Sequence, residues 1–112
     1  MIQVSVIMTN YNRAEIIGQA IQSVLSQVTD FRFQVVIIDD GSTDSSVEVI
    51  RQEITKHNNS NIYIDFFPLL HRGMMPTYIT AIQESRGKYL AFCDTDDYWV
   101  DQLKLQRQSD YM

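Results

Sequence analysis

Four short runs of apolar, largely β-branched residues recur along the chain: Val4 to Met8, Val35 to Ile38, Ile62 to Phe67 and Tyr89 to Cys93. Such continuous runs suit strands covered on both faces, because a half-exposed strand alternates apolar with polar positions. Between the first two, Ile16, Ile17, Ala20, Ile21, Val24, Leu25 and Val28 recur at the spacing of one helix face. Gly41 marks the turn out of the second strand, and Ser45 with Glu48 has the form of a capping box opening a helix through Val47, Ile50 and Ile54. Pro68 is expected to stop the third strand, with Leu69 to Met75 irregular around Gly73. Pro76 suits the first turn of a third helix that carries Ile79, Ala81 and Ile82 and ends at Gly87. A last helix is expected from about Asp101.

Strand and helix alternating in this way predict a doubly wound α/β fold, a mainly parallel sheet with helices on both faces. Right-handed crossovers then bring the carboxyl ends of all four strands to one side. Ligands of such sheets bind beyond those ends, near the point where strand order reverses. The polar clusters Thr9 to Asn12, Asp39 to Ser42 and Asp94 to Asp97 lie there. At 112 residues, the chain is expected to form a single domain over 1–112.

Charge and cysteine content narrow the function classes. Fourteen acidic residues against nine basic ones, for a net charge of -5, argue against a nucleic-acid footprint. Cys93 is the only cysteine, so no internal disulfide forms, a zinc cluster is not expected, and the residue reads as a small core side chain. The longest apolar stretches fall far short of the roughly 20 residues a membrane helix needs, and no basic n-region opens the chain. The expected location is the cytoplasm or the cytoplasmic face of the inner membrane.

Asp94, Asp96 and Asp97 crowd three carboxylates into four residues. Like charges this close are costly unless a cation sits among them. Oxygen ligands suit Mg²⁺ or Mn²⁺, which keep open positions for phosphate oxygens. Positions two apart in extended chain point the same way, so Asp94 and Asp96 can share one ion. A solvated acidic turn that caps the next helix reads the same residues without an ion. Asp39 and Asp40 either cap the following turn or accept hydrogen bonds from a base or ribose. Tyr11 is a loop aromatic or a platform for a base. Arg13, Arg72 and Lys88 are solvated or face a diphosphate, and His71 reads as structural. No Gly-x-Gly-x-x-Gly and no Walker loop is present, so a bound diphosphate would need the metal to neutralise most of its charge.

The segments Val4-Ser5-Val6-Ile7-Met8-Thr9-Asn10-Tyr11-Asn12-Arg13, Val36-Ile37-Ile38-Asp39-Asp40-Gly41-Ser42-Thr43-Asp44 and Gly87-Lys88-Tyr89-Leu90-Ala91-Phe92-Cys93-Asp94-Thr95-Asp96-Asp97-Tyr98-Trp99, in this order, resemble family 2 glycosyltransferases of the GT-A fold. Gly73 to Pro76 and the tail around Trp99, Asp101 and Lys104 to Gln106 look like a bacterial surface-polysaccharide subgroup. The resemblance implies a nucleotide-sugar donor site. Asn10, Tyr11 and Arg13 would line the nucleotide pocket, with Tyr11 against the base. Asp40 would bond the base and Asp39 would support its loop. Asp94, with Thr95 beside it, would meet the sugar or ribose, and Asp96 would ligate Mn²⁺ or Mg²⁺. The implied partners are a nucleoside-diphosphate sugar, UDP-linked in the first instance, and a saccharide or lipid-linked acceptor.

Departures from the family pattern are Thr9 in place of Pro, Tyr78 and Ile79 in place of an Arg-Asn pair, and Gln102 in place of Pro. The chain is expected to be the N-terminal, donor-binding part of a longer inverting enzyme. The general base belongs to the acceptor half, and no residue here takes that role. Self-association through an exposed apolar face is expected with it. Two other readings are a non-catalytic nucleotide-sugar-binding fragment and a haloacid-dehalogenase-type phosphatase. The latter wants its Asp-x-Asp on the first strand rather than the fourth. A response-regulator receiver would lack its lysine.

Overall fold

A computed structural model describes residues 2–57, 60–93, 105 and 106. Seven elements alternate along the chain: β1 (Ile2–Asn10), α1 (Ala14–Leu25), β2 (Arg32–Asp40), α2 (Ser46–Lys56), β3 (Ile62–Leu69), α3 (Met74–Glu84) and β4 (Tyr89–Phe92). The four strands form one parallel sheet in the order β3-β2-β1-β4. The chain therefore steps outward from β1 to β3 and then returns to the other side of β1, so the strand order reverses between β1 and β4. No helix among the described residues is long and apolar enough to cross a membrane.

The two-residue period of a strand sorts its side chains to opposite faces. Val4, Val6 and Met8 of β1 and Phe33, Val35 and Ile37 of β2 point to one face, where Ile17, Ala20, Ile21 and Val24 of α1 and Ile50 of α2 cover them. Each fully buried Ile or Val contributes about 1.5–3 kcal/mol relative to exposure. On the other face Ile7, Val36 and Ile38 pack against Ala81 and Tyr78 of α3. Beyond this cover, Ile79, Ile82, Leu90 and Phe92 are 39–51% exposed, an apolar strip along α3 and the β4 edge.

A buried polar clasp ties α3 to the sheet at the end opposite the site. Gln34, fully buried, accepts hydrogen bonds from the Ser5 hydroxyl (2.6 Å) and the Arg86 amide (2.8 Å), and donates to Asp65 (2.7 Å) and to the Glu84 carbonyl (3.1 Å). Gly87 passes so close to β1 that an added Cβ would sit 2.4 Å from the Ser5 nitrogen.

Several boundaries differ from expectation, each for a physical reason. Pro68 does not stop β3, which runs on to Leu69. β3 is an edge strand, where the missing N–H faces away from the ladder. Helix α3 starts two residues before Pro76 and ends at Glu84 rather than Gly87; a first-turn amide has no helical acceptor, so Pro76 removes nothing there. Val28 lies beyond the end of α1, 54% exposed. Ser45 makes no side-chain cap on α2. Its neighbour Asp44 does the work instead, accepting the Ser46 amide (2.9 Å) with one oxygen and the Ala14 amide of α1 (3.1 Å) with the other. One carboxylate thus serves two helix N-termini, where negative charge is favoured. Cys93, just past β4, is buried and donates its amide to the Ile7 carbonyl. Of the expected last helix, Leu105 and Gln106 are helical, and the rest lies outside the described residues.

Candidate functional site

Asp39 and Asp40 end β2 side by side, and strand period sends them to opposite faces. Asp39, 1% exposed, turns to the face of α1 and α2. It accepts the Asn10 amide group (2.9 Å), the Ser42 hydroxyl (2.6 Å) and the Ser42 backbone N–H (2.8 Å). Asn12 stands at φ 54°, a left-handed conformation that Asn tolerates better than most residues. Its side-chain oxygen accepts the Thr43 amide at 2.7 Å, and its own amide reaches the Ser42 hydroxyl at 2.9 Å. The turns after β1 and β2 are thereby locked to each other.

Asp40 turns to the α3 face and organises the chain after β3. Its Oδ1 accepts the Arg72 amide (2.8 Å), and its Oδ2 accepts the Gly73 amide (3.0 Å) and His71 Nδ1 (2.9 Å). Burial works against its charged form, but these two amides, the Thr77 hydroxyl and the His71 ring outweigh it. The carboxyl is held below the ordinary value of 3.8. Gly41, at φ +71°, permits the close approach: a Cβ there would lie 2.4 Å from the His71 nitrogen. His71 in turn lies on Tyr11, ring centroids 4.4 Å apart and planes 26° from parallel.

These contacts enclose a cleft of about 420 Å³ beyond the strand carboxyl ends. Thr9, Asn10, Tyr11 and Arg13 come from the end of β1, Asp40 from β2, His71 and Gly73 from the turn after β3, and Met74, Thr77 and Tyr78 from α3. Asn10, 3% exposed, spends its amide nitrogen on Asp39 and Ser42. Its carbonyl oxygen is buried without a partner among the described residues.

Of the residues singled out in the sequence, Asn10, Tyr11, Arg13 and Asp40 line the cleft together, while Asp39 lies beneath it as a brace. Asp94, Thr95, Asp96 and Asp97 lie outside the described residues. They follow directly on Cys93, whose bond to Ile7 brings the chain to the edge of β1, beside the strand that supplies Thr9 to Arg13. Among the described residues no group of three metal-ligating side chains occurs. Sequence reasoning missed His71, Thr77 and Tyr78. The expected end of the third strand near Pro68 was the available signal for His71, since the turn after a strand of a parallel sheet faces the site.

A family model described as Glycosyl transferase family 2 matches residues 5–112. An uncharacterized glycosyltransferase of Haemophilus influenzae is 32% identical over 109 residues, covering 97% of this chain and 42% of that protein. Among solved structures, S. aureus TarS 1-349 in complex with UDP-GlcNAc is similar with a TM-score of 0.82 at 23% identity, over 98% of this chain and 31% of that one. The mannosyltransferase PcManGT from Pyrobaculum calidifontis, in complex with GDP-Man and Mn²⁺, gives a TM-score of 0.78 at 24% identity, over 89% and 29%. The shared fold is the parallel α/β sheet of GT-A glycosyltransferases. The chain spans less than half the length of these relatives.

Proposed function

The chain belongs to glycosyl transferase family 2, and from that premise we propose that it is the donor-binding part of a glycosyltransferase that holds a nucleoside-diphosphate sugar with a divalent metal. The observation that carries this reading is the cleft where Asn10, Tyr11, Arg13 and Asp40 converge beyond the strand ends. Tyr11, 44% exposed, offers a face for a base. The unpartnered Asn10 oxygen suits a ribose hydroxyl, because a buried acceptor left unpaired is costly. Arg13 supplies positive charge on the diphosphate side. Asp40, its oxygens shared among the Arg72 and Gly73 amides, the Thr77 hydroxyl and His71, acts by holding the His71–Gly73 wall.

Asp94 and Asp96 offer the hard oxygen donors that Mn²⁺ or Mg²⁺ prefers, and the path of β4 beside β1 is compatible with their reaching the diphosphate. When bound, such an ion neutralises the negative charge that grows on the departing nucleoside diphosphate. Similar proteins were solved with UDP-GlcNAc and with GDP-Man and Mn²⁺, which supports this donor class. We assign the acceptor, a saccharide or lipid-linked hydroxyl, and an inverting transfer in surface-polysaccharide synthesis to the whole enzyme. The exposed strip at Ile79, Ile82, Leu90 and Phe92 is the surface we assign to self-association.

Calorimetric titration with UDP tests the reading. Binding is expected with Mn²⁺ and at least about tenfold weaker without it or in Asp96→Ala. Equal affinity in all three conditions refutes the metal-held donor.

A further inference from the structure

We propose that Gln27, at the far end of α1 from the cleft, is a positioning residue for the metal: by holding Leu105 it fixes the second end of the stretch of chain that carries Asp94 and Asp96. The inference rests on the donor-site reading above and adds to it a residue outside the cleft.

Gln27 follows just after α1 and is fully buried. Its side-chain Oε1 accepts the Leu105 amide (3.0 Å), and its Nε2 donates to the Ser23 carbonyl (3.3 Å). A second bond runs the other way, with the side-chain oxygen of Gln106 accepting the Asp30 amide at 2.9 Å. Two glutamines thus exchange side chain for backbone between the turn after α1 and the helical residues 105 and 106. Leu105, 1% exposed, completes the seat as a member of the core cluster on this face of the sheet. A position that needed only filling would take an apolar side chain; a buried amide is kept where it has bonds to make.

Cys93 is the other fixed point. It belongs to the same core cluster and donates its amide to the Ile7 carbonyl at 3.1 Å. The chain therefore leaves the core at Cys93 and is back in it at Leu105, and Asp94 and Asp96 belong to the stretch between. Helix α1 begins beside Arg13 on the cleft wall, and its twelve residues cover about 18 Å before Gln27 is reached. The tie at Gln27 thus acts from a distance, without touching a nucleotide in the cleft.

A segment held at one end only explores many arrangements, and an ion that gathers two carboxylates from it must remove that freedom on binding. Held at both ends, the segment has lost part of that freedom beforehand, so less is left to oppose the ion. The effect is confined to what the metal adds. Asn10 and the turn after β1 are fixed by Asp39, Ser42 and Thr43, and not by Gln27. Removing the tie therefore weakens metal-assisted nucleotide binding and leaves metal-free binding as it was. A residue serving stability alone has no such signature.

The test is calorimetric titration with UDP, in Mn²⁺ and in EDTA, of wild type, Gln27→Met, Gln106→Ala and Gln22→Ala, each shown to be folded by its melting curve. In wild type, Mn²⁺ strengthens UDP binding at least about tenfold. Gln27→Met fills the same space without the acceptor, and the gain from Mn²⁺ is expected to fall about fivefold, the scale of one hydrogen bond. Its affinity in EDTA stays within about twofold of wild type. Gln106→Ala loses a bond at the surface and leaves the core intact; its gain falls by about twofold. Should Gln27→Met not fold, Gln106→Ala decides alone. Gln22→Ala removes the bonds to Glu53 between α1 and α2, away from the tie, so it lowers the melting temperature and leaves the gain unchanged. An undiminished gain in Gln27→Met and Gln106→Ala overturns the inference. An equal loss in Gln22→Ala overturns it too, because the loss would then come from general destabilisation. A wild type to which Mn²⁺ adds nothing removes the metal-held donor and this inference together.

Discussion

Replacing Gly41 with alanine probes the link between β2 and the cleft wall at its tightest point. The residue sits at φ +71°, where an L side chain costs about 1–2 kcal/mol. The new methyl would lie 2.4 Å from the His71 nitrogen and 3.0 Å from its Cα, both backbone atoms that cannot swing aside. Restoring ordinary contact, which begins at 3.4 Å, moves the turn after β3 by roughly 1 Å. Of the Arg72 and Gly73 amides, now 2.8 and 3.0 Å from Asp40, one would then be out of range and the other strained. A hydrogen bond to a charged group contributes about 1.5–3 kcal/mol. Losing one and straining the other, with the conformational penalty, amounts to about 3–5 kcal/mol. In urea denaturation, with a slope of about 1–3 kcal/mol per molar, the midpoint of Gly41→Ala should fall by at least ~1 M. UDP affinity should fall with it. A midpoint within ~0.3 M of wild type would refute the reasoning, because it would mean the wall is not held against β2 as described.

Two further outcomes follow from the same contacts. The Asp40 carboxyl is held below 3.8 in the folded protein, so the stability it contributes is fully present above the unfolded value and is lost as pH falls through the lower folded one. The stability gap between wild type and Asp40→Asn, measured by thermal melting, should be constant from pH 7 to 5 and shrink below about pH 4; a gap that stays constant down to pH 2 contradicts this. For the apolar strip at Ile79, Ile82, Leu90 and Phe92, light scattering should give a mass that rises with concentration, and Phe92→Asp should reduce it. A monomer mass at every concentration removes the self-association.

The layout of the sheet was legible because strands covered on both faces leave continuous apolar runs, as at Val35 to Ile38. The ends were less so. Polar residues closing β1 and β2, such as Asn10 and Asp39, remain in the strands because they bond each other across them. Pro68 signals a stop only in a central strand, and nothing local reveals that β3 is at the edge. Ser45 fits a capping box by spacing, yet the stronger acceptor at Asp44 takes the amide. The opposite errands of Asp39 and Asp40 follow from strand period alone and were open to derivation. The place of His71 was not: its ring is held against Asp40 and seated on Tyr11, contacts 31 residues apart in one case and made through the fold in both.

The most direct test is a crystal structure of the protein with UDP and Mn²⁺. The account predicts the uracil ring in the cleft on Tyr11, with Asp96 among the residues that hold the ion. Nucleotide bound elsewhere, or bound in this cleft with Asp94 and Asp96 turned away from any ion, would contradict it.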